Sequence, residues 1–299
     1  MESTSYFGNN PRRCFEVSVS GSHMLQESNS VLKSIRSISA NVPILSILTD
    51  THGSKSLSHS IFELEPVDEF RSLDGAKVAA VSPWALDALL HFYEDRKANA
   101  AAEFYKLISG ISWVGSLWGR VMERQLLKYF NSLLETHTFK ICSLTNSTVH
   151  DWKYPGPTQR VNFEPRSFTS SLLAAVDAKQ PLHLVLKDPN FPVVDSIVYD
   201  PNAVLTGIQS TITPRHPEVV SGFRRIQGWL TLRTPLAELR PSTSGPHWHL
   251  IFAVPETMAQ SFCQQGFEGD TTMHEWERKV DQYVLAVNDL SLWGKTMKV

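Results

Sequence analysis

Residues 191–216 read FPVVDSIVYDPNAVLTGIQSTITPRH, and this stretch decides the fold of the second half of the chain. Its two apolar runs, joined by a turn, predict a hairpin of two strands. Because successive side chains of a strand point to opposite faces, Gln209 and Thr211 are expected on one face, and the neighbouring strand can present Asp195 beside them. A carboxylate in an apolar strand is costly to bury without a partner, so the pattern favours a role for Asp195 in a site.

Length and charge limit the classes of protein to consider. The chain has 299 residues, of which 42% are hydrophobic, enough for one large or two modest domains. It carries 28 Lys and Arg against 30 Asp and Glu, for a formal net charge of -2. Strong charge-driven binding to nucleic acid is therefore not expected, although a local basic groove is still allowed.

The number and spacing of cysteines and the hydropathy of the chain indicate the kind of cellular compartment. Cys14, Cys142 and Cys263 are odd in number and widely spaced, which fits a reducing compartment better than a disulfide framework. No apolar run approaches the roughly 18 residues of a membrane helix, and the first residues lack the apolar core of a signal peptide. We expect no membrane partner and no signal peptide in this chain.

Composition divides the chain into three parts. Residues 1–24 form a polar leader. Residues 25–97 form a small α/β segment, with strands at 42–48, 61–64 and 77–81 and a helix that begins at Pro83, with Ser82 as its cap. Residues 98–299 form the main α/β domain.

The main domain is predicted as a mixed sheet flanked by helices. Helical spacing indicates a helix over 117–134, a second after Pro217, and a last one carrying Trp276, Val280, Tyr283 and Val287. Strands are predicted at 139–144, 182–186 and 250–254, and a loop follows the first of them, up to about residue 160. Glu123 lies in the first helix, where the carboxylate either complements the helix dipole or points at a buried polar site.

This order resembles the PD-(D/E)XK restriction-endonuclease-like fold. A closer resemblance is to the nuclease-like region of the Crinkler and retrotransposon-hot-spot (RHS) effector family. The resemblance covers about residues 100–270, and it is carried by GRVMER at 119–124, NFPVVDS at 190–196, GIQSTI at 207–212 followed by His216, and FAVP at 252–255. Residues 58–64 and 78–82 resemble the tail of the family's P-loop ATPase module. The phosphate-binding parts of that module are absent, so we expect no ATP site in this chain.

The resemblance implies a metal site. Asp195 takes the place of the principal ligand to Mg²⁺ or Mn²⁺, Gln209 takes the glutamate position, and Glu123 is the helical acid. Thr211 takes the lysine position and cannot supply a cation, while Gln209 brings an amide oxygen without charge.

Other side chains are candidates to replace the missing lysine or to move protons. Lys187 precedes the Asp195 strand, and Arg224 and Arg225 follow in the next helix. His216 is either a general base or phosphate donor, since its unperturbed pKa is near neutrality, or an ordinary turn residue.

Three functions remain open. The first is a Crinkler-like effector that cleaves DNA with Mg²⁺, for which the family implies a nuclear role, in a host or in the producing cell. No compact run of Lys and Arg marks a nuclear import signal, so cytoplasmic location is the other expectation. The second function is an inactive interaction module that binds a partner protein or nucleic acid. The third is an unrelated α/β structural domain.

Two other motifs point to different chemistry. His247 and His249 share one strand face and could bind zinc, but the sequence shows no third ligand. Ser210 lacks the glycine elbow of a serine hydrolase.

Overall fold

The computed structural model divides the chain into two compact units, residues 1–121 and 122–299. The residues that it describes are 26, 29–35, 62–66, 76–80, 84–85, 88–89, 92, 115–156, 159–163, 165–186, 191, 193–201, 205–215, 218–231, 234–269 and 273–288. The segment predicted as a strand around residues 42–48, and candidate site residues Lys187 and His216, lie outside this set.

The first unit contains the two short strands that the sequence predicts. Strand β1 (Phe62–Pro66) pairs antiparallel with β2 (Ala76–Ala80). Residues 29–35 are helical, and residues 84, 85, 88, 89 and 92 are helical after the predicted Ser-Pro start. These elements agree with the α/β character predicted for the segment.

Eight strands of the described residues form one mixed sheet. They are β3 (His137–Ser143), β4 (Val149–Tyr154), β5 (Gln159–Phe163), β6 (Leu182–Leu186), β7 (Ser196–Tyr199), β8 (Thr206–Ser210), β10 (Trp248–Pro255) and β12 (Val280–Val287), in the spatial order β4-β3-β12-β10-β8-β7-β6-β5. A separate short pair joins β9 (Glu218–Val219) to β11 (Phe267–Glu268) in parallel. The second unit is thus a mixed α/β domain, as predicted.

The centre of the sheet is built on the hairpin of residues 191–216. Strand β7 pairs antiparallel with both β6 and β8, and Ser196 faces Ile208 in the register. Strand β10 then pairs parallel with β8, so that Phe252 lies next to Gln209. A parallel neighbour requires a crossover, and helix α3 (Val220–Leu230) lies within that connection.

Helices cover the sheet. Helix α1 (Gly115–Asn131) and helix α2 (Pro165–Ala178) precede the central strands, and the short helices are α4 (Thr234–Ala237), α5 (Glu256–Ala259) and α6 (Met273–Trp276). The main core cluster joins α2 and α3 to the sheet through Phe168, Leu172, Phe223, Ile226, Leu184, Leu250 and Phe252. Complete burial of one such side chain contributes about 1.5–3 kcal/mol, so this cluster fixes α3 against the strands.

Aromatic side chains at the end of α1 form a second packed region. Phe130 stacks on Tyr154 with ring centroids 4.9 Å apart, and it meets the ring of His183 edge-on at 6.0 Å. The Tyr154 hydroxyl and His183 Nδ1 lie 2.9 Å apart in a hydrogen bond. This region attaches the end of α1 to β4 and β6.

The predicted last helix is wrong. Residues 280–287 form strand β12, which pairs parallel with β10 along its whole length and antiparallel with β3. Val280, Tyr283 and Val287 have helical spacing, but Val280, Gln282 and Val284 are buried at every second position, which is the period of a strand. Pairing with a strand on each side stabilises these residues as a strand, and this effect is stronger than the helical preference that their spacing indicates.

The predicted loop between residues 145 and 160 is also wrong in part. Trp152 and Tyr154 belong to β4, and Arg160 belongs to β5. Helix α2 was not predicted at all, although Pro165 at its first position and the buried Phe168 and Leu172 are typical of an amphipathic helix.

Among the helices of the described residues, none combines the length and the apolar character needed to cross a membrane.

Candidate metal centre

Asp195 is held by backbone hydrogen bonds at the start of β7. Its N–H donates to the carbonyl oxygen of Ile208 at 2.9 Å, and its carbonyl oxygen accepts from the N–H of Leu186 at 3.2 Å. The residue is therefore tied to β8 on one side and to β6 on the other. Such backbone anchoring fixes the direction of the side chain.

The Asp195 carboxylate contacts the two residues that end β8. The backbone N–H of Ser210 donates to Oδ2 at 2.6 Å, and Nε2 of Gln209 lies 3.5 Å from Oδ1. The hairpin thus brings Asp195 and Gln209 together, as the strand alternation suggests. Both carboxylate oxygens of Asp195 thus have a donor within hydrogen-bond distance.

Glu123, on α1, acts electrostatically on Asp195. Burial raises the pKa of the Asp195 carboxyl well above its usual range, the negative charge of Glu123 raises this pKa further, and the hydrogen bond from Ser210 lowers it. A nearby negative charge disfavours the ionised form of a carboxyl group, and so does burial. The neutral form of Asp195 is therefore favoured relative to a carboxyl group in water.

Several buried oxygens around Asp195 have no hydrogen-bond partner among the described residues. They are Oε1 of Gln209, Oγ of Ser196 and Oγ of Ser210. Gln209 is only 8% exposed, and its amide nitrogen already faces Asp195. An unsatisfied buried oxygen lowers the stability by about 1–3 kcal/mol, so Oε1 of Gln209 is available to accept a hydrogen bond or to bind a cation.

Thr211 does not face the carboxylates with its hydroxyl. Its Oγ1 lies 3.0 Å from Oγ1 of Thr213 and accepts from the N–H of Thr213 at 3.2 Å, and its own N–H donates to the carbonyl oxygen of Ala253. The hydroxyl group at the lysine position is thus used to form a turn.

Arg225, a candidate to replace the lysine, stacks on aromatic rings instead. Its guanidinium carbon lies 5.4 Å from the ring centroid of Phe191 and 5.6 Å from that of Trp229. Arg224, beside it on α3, is exposed. The stacking places one positive charge next to the segment that leads into Asp195.

A carboxylate lies next to one of the two histidines considered as zinc ligands. His247 Nδ1 lies 3.2 Å from Oδ2 of Asp281, and the ring of His249 meets that of Tyr283 edge-on at 5.1 Å. Burial lowers the pKa of His249, the effects of His150 and His247 act in the same direction, and Asp281 opposes them. Within the described ranges, no three His, Cys, Asp or Glu side chains are arranged to hold a metal ion, so the zinc hypothesis gains no support.

The chemistry of the Asp195 cluster fits a hard cation. Its donors are the carboxylates of Asp195 and Glu123 and the amide oxygen of Gln209, all oxygen ligands of the kind that Mg²⁺ and Mn²⁺ prefer. The cluster has two carboxylates rather than three, so water molecules would complete the shell, as is usual for Mg²⁺.

The sequence carries no signal for the backbone donor from Ser210, because almost every residue has a backbone N–H. The buried Ser196 hydroxyl, which has no partner among the described residues, was not predicted either.

Comparison with known proteins does not identify a family for this chain. No protein-family model, no curated protein and no solved structure matches this chain. The function therefore has to be inferred from the chemistry of the site.

Gly207, two residues before Gln209, should not tolerate a larger side chain. A Cβ added there would lie 2.6 Å from Cγ1 of Val194 and 3.5 Å from Cδ1 of Leu250. We expect Gly207→Ala to lower the free energy of unfolding by about 1–3 kcal/mol, because Val194 must move, and Asp195 with it. Denaturant unfolding of the purified protein measures the change.

The matched control is Gly228→Ala. An added Cβ at Gly228, in α3, meets no atom within 4 Å, so the alanine should stabilise the helix by about 0.5–1 kcal/mol. Equal effects of the two substitutions would show that the contact with Val194 does not constrain Gly207.

Proposed function

We propose that this protein is a metal-dependent nuclease of the divergent PD-(D/E)XK kind, with Asp195, Glu123 and Gln209 as ligands of Mg²⁺ or Mn²⁺ and DNA as substrate. The observation that carries the proposal is the buried, unpartnered Oε1 of Gln209 beside the mutually repelling carboxylates of Asp195 and Glu123. A cation bound by the Asp195 carboxylate would relieve this repulsion.

The order of strands supports the proposal. Strands β6, β7 and β8 form an antiparallel series, α3 follows, and β10 returns parallel to β8. This is the order that the resemblance in the sequence leads one to expect of a PD-(D/E)XK core. Strands β3–β5 and helix α2 stand between α1 and that series, so Glu123 reaches the site from a helix distant in sequence.

The residues of the chain have separate tasks in phosphodiester hydrolysis. Asp195 is oriented by the Ser210 N–H, and Gln209 contributes an oxygen that is already stripped of water. When bound, the metal ion would neutralise phosphate charge and lower the pKa of a water molecule. In the reaction a water oxygen forms a bond to phosphorus, the bond from phosphorus to the leaving sugar oxygen breaks, and the water proton ends on that oxygen.

The second candidate function is a binding module that retains the fold without cleavage. Thr211 supports this alternative, because it takes the position at which an active enzyme of this kind would have a lysine. Its hydroxyl instead forms hydrogen bonds with Thr213 in the turn. Gln209 also leaves the site with one negative charge fewer than the parent pattern. A module of this kind would bind its partner protein or nucleic acid without turnover.

Cleavage of supercoiled plasmid DNA tests the proposal. We expect the purified protein to nick the plasmid in Mg²⁺ or Mn²⁺ and to stop when EDTA is added. Gln209→Leu keeps the size of the side chain and removes the oxygen, so cleavage should fall at least tenfold, as for the loss of one good interaction with a charged centre.

The control variant is Gln180→Leu, which makes the same change at an exposed position outside the site. Equal cleavage by the wild type and by Gln209→Leu would remove Gln209 from the site. Absence of metal-dependent cleavage, together with DNA binding by the wild type, would favour the binding module.

A further inference from the structure

A polar groove lies just beyond the end of β8. Its volume is about 640 Å³, and it is lined by Thr213, Pro214, Arg215, Ser261, Cys263, Gln264, Gln265, Gly266 and Glu268. One wall is the segment that continues β8, and the other is the loop that leads into β11. The volume falls within the range of about 300–1,000 Å³ that ligand sites occupy.

Arg215 supplies a free positive charge to this groove. The side chain is exposed, and no carboxylate of the described residues pairs with it. Glu268, in the opposite wall, is the one acidic side chain of the lining. An anion is therefore expected on the Arg215 side of the groove, with Gln264 able to donate further hydrogen bonds to its oxygens.

The two walls are fixed to each other by a buried amide. Nε2 of Gln265 donates to the carbonyl oxygen of Pro214 at 3.3 Å, next to Arg215. Gln282 of β12 in turn holds Gln265, since its Oε1 accepts from the Gln265 N–H at 2.8 Å and its Nε2 donates to the Gln265 carbonyl at 2.9 Å. The groove is thus formed before any ligand arrives, which limits the entropy lost on binding.

The groove is also close to the candidate metal centre. Thr213, in its lining, accepts and donates hydrogen bonds with Thr211, and Ser210 before it holds Asp195. Thr213 lies three positions after Ser210, which is a distance of at most about 10 Å at the rise of a strand. A nucleic-acid strand with a rise of 3.4 Å per nucleotide covers that distance in about three nucleotides.

We infer that this groove binds the DNA strand next to the phosphate that is cut, and that Arg215 contacts one of its phosphates. The inference rests on the proposed nuclease function, and it assigns to Arg215 a positioning role that no sequence motif indicates. The proximity to Asp195, the unpaired cation and the hydrogen-bonding lining are the three observations that carry it.

Fluorescence anisotropy with labelled single-stranded and duplex DNA tests the inference. Full-length protein carrying Asp195→Asn is the background, so that the probe is not cut. We expect Arg215→Gln to weaken binding about tenfold, as for the loss of one charge-assisted hydrogen bond. The slope of log affinity against log salt should become shallower by about 0.7 for single strands or 0.9 for duplex.

Arg240→Gln is the matched control, because Arg240 is exposed outside the groove and its Nε donates to the carbonyl oxygen of Ala237, the last residue of α4. Equal binding by the Arg215 and Arg240 variants, or no binding by the parent protein, would overturn the inference about the groove. If the wild type cleaves DNA in a way that depends on Asp195, while Arg215→Gln leaves binding intact, the nuclease function stands and the groove assignment fails. If the wild type does not cleave DNA but Arg215→Gln alone weakens binding, the groove binds DNA and the nuclease function fails.

Discussion

Replacing Asp195 with Asn should stabilise the metal-free protein and abolish its response to Mg²⁺. Burial raises the pKa of the wild-type carboxyl, and the negative charge of Glu123 raises it further. Asn has the same shape, and its Oδ1 can still accept from the Ser210 N–H. Its amide can donate to Oε1 of Gln209 once the Gln209 amide turns over, because Nε2 of Gln209 is the atom that faces position 195. The variant is therefore expected to have the higher Tm at pH 8 in EDTA, because the raised pKa makes the ionised carboxylate unfavourable in the folded protein.

The direction of the pH dependence follows from the raised pKa. Between the unfolded-state value near 3.9 and the higher pKa of the folded state, the native protein binds more protons at Asp195 than the unfolded chain does. This contribution to stability is therefore lost as the pH rises through that interval. The wild type and Asp195→Asn should differ little at pH 4, and the advantage of the variant should grow towards pH 8.

Adding Mg²⁺ should reverse the order of the two proteins. A ligand that binds only the folded state stabilises it by about 2.7 kcal/mol at a concentration of one hundred times its Kd. The wild type is expected to gain this stability, whereas Asp195→Asn, which has lost the principal ligand, gains little. The same substitution should reduce plasmid cleavage to background, because no other side chain of the site can replace the Asp195 carboxylate.

Thermal and denaturant unfolding, in EDTA and in Mg²⁺, measure all of these changes. Asp151→Asn is the control, since it alters the same chemical group on exposed strand β4, where Asp151 pairs with Lys140. If Asp195→Asn instead lowers the Tm at pH 8 in EDTA, the carboxylate is a stabilising structural group and the metal site is wrong.

Replacing Gln282 with Leu should destabilise the domain by about 2–5 kcal/mol. Gln282 is 1% exposed, and its side-chain amide forms two hydrogen bonds with the backbone of Gln265. Leucine keeps much of the volume but makes neither bond, so a buried N–H and a buried carbonyl lose these partners at about 1–3 kcal/mol each. The free energy of unfolding in urea measures the loss.

Gln264→Leu, one residue before Gln265 and exposed, should change the stability by no more than about 0.5 kcal/mol. A similarly small effect of Gln282→Leu would mean that the loop before β11 is not held by β12. The rigid wall assigned to the groove would then be lost as well.

The local pattern of apolar residues was sufficient to predict the elements whose burial in the fold follows that pattern. Residues 182–186 are almost continuously apolar and form a buried strand over the predicted range. The helix after Pro217 was predicted with an apolar stripe of Val219, Phe223, Ile226 and Leu230. Helix α3 buries the last three, whereas Val219 is exposed and belongs to β9. The pattern failed at residues 280–287, because valine and tyrosine at helical spacing also occur in a strand buried between two neighbours.

The sequence by itself determined that residues 191–216 form a hairpin and that Asp195 lies beside Gln209, because strand alternation and the antiparallel turn are local properties. Only the tertiary structure decided that Glu123 acts on Asp195, that a backbone N–H of Ser210 holds the carboxylate, and that Oε1 of Gln209 stays unsatisfied. The physical reason is that the desolvation of Asp195 and its repulsion by Glu123 depend on packing between segments some 70 residues apart. The local order of residues does not indicate which distant segments pack together.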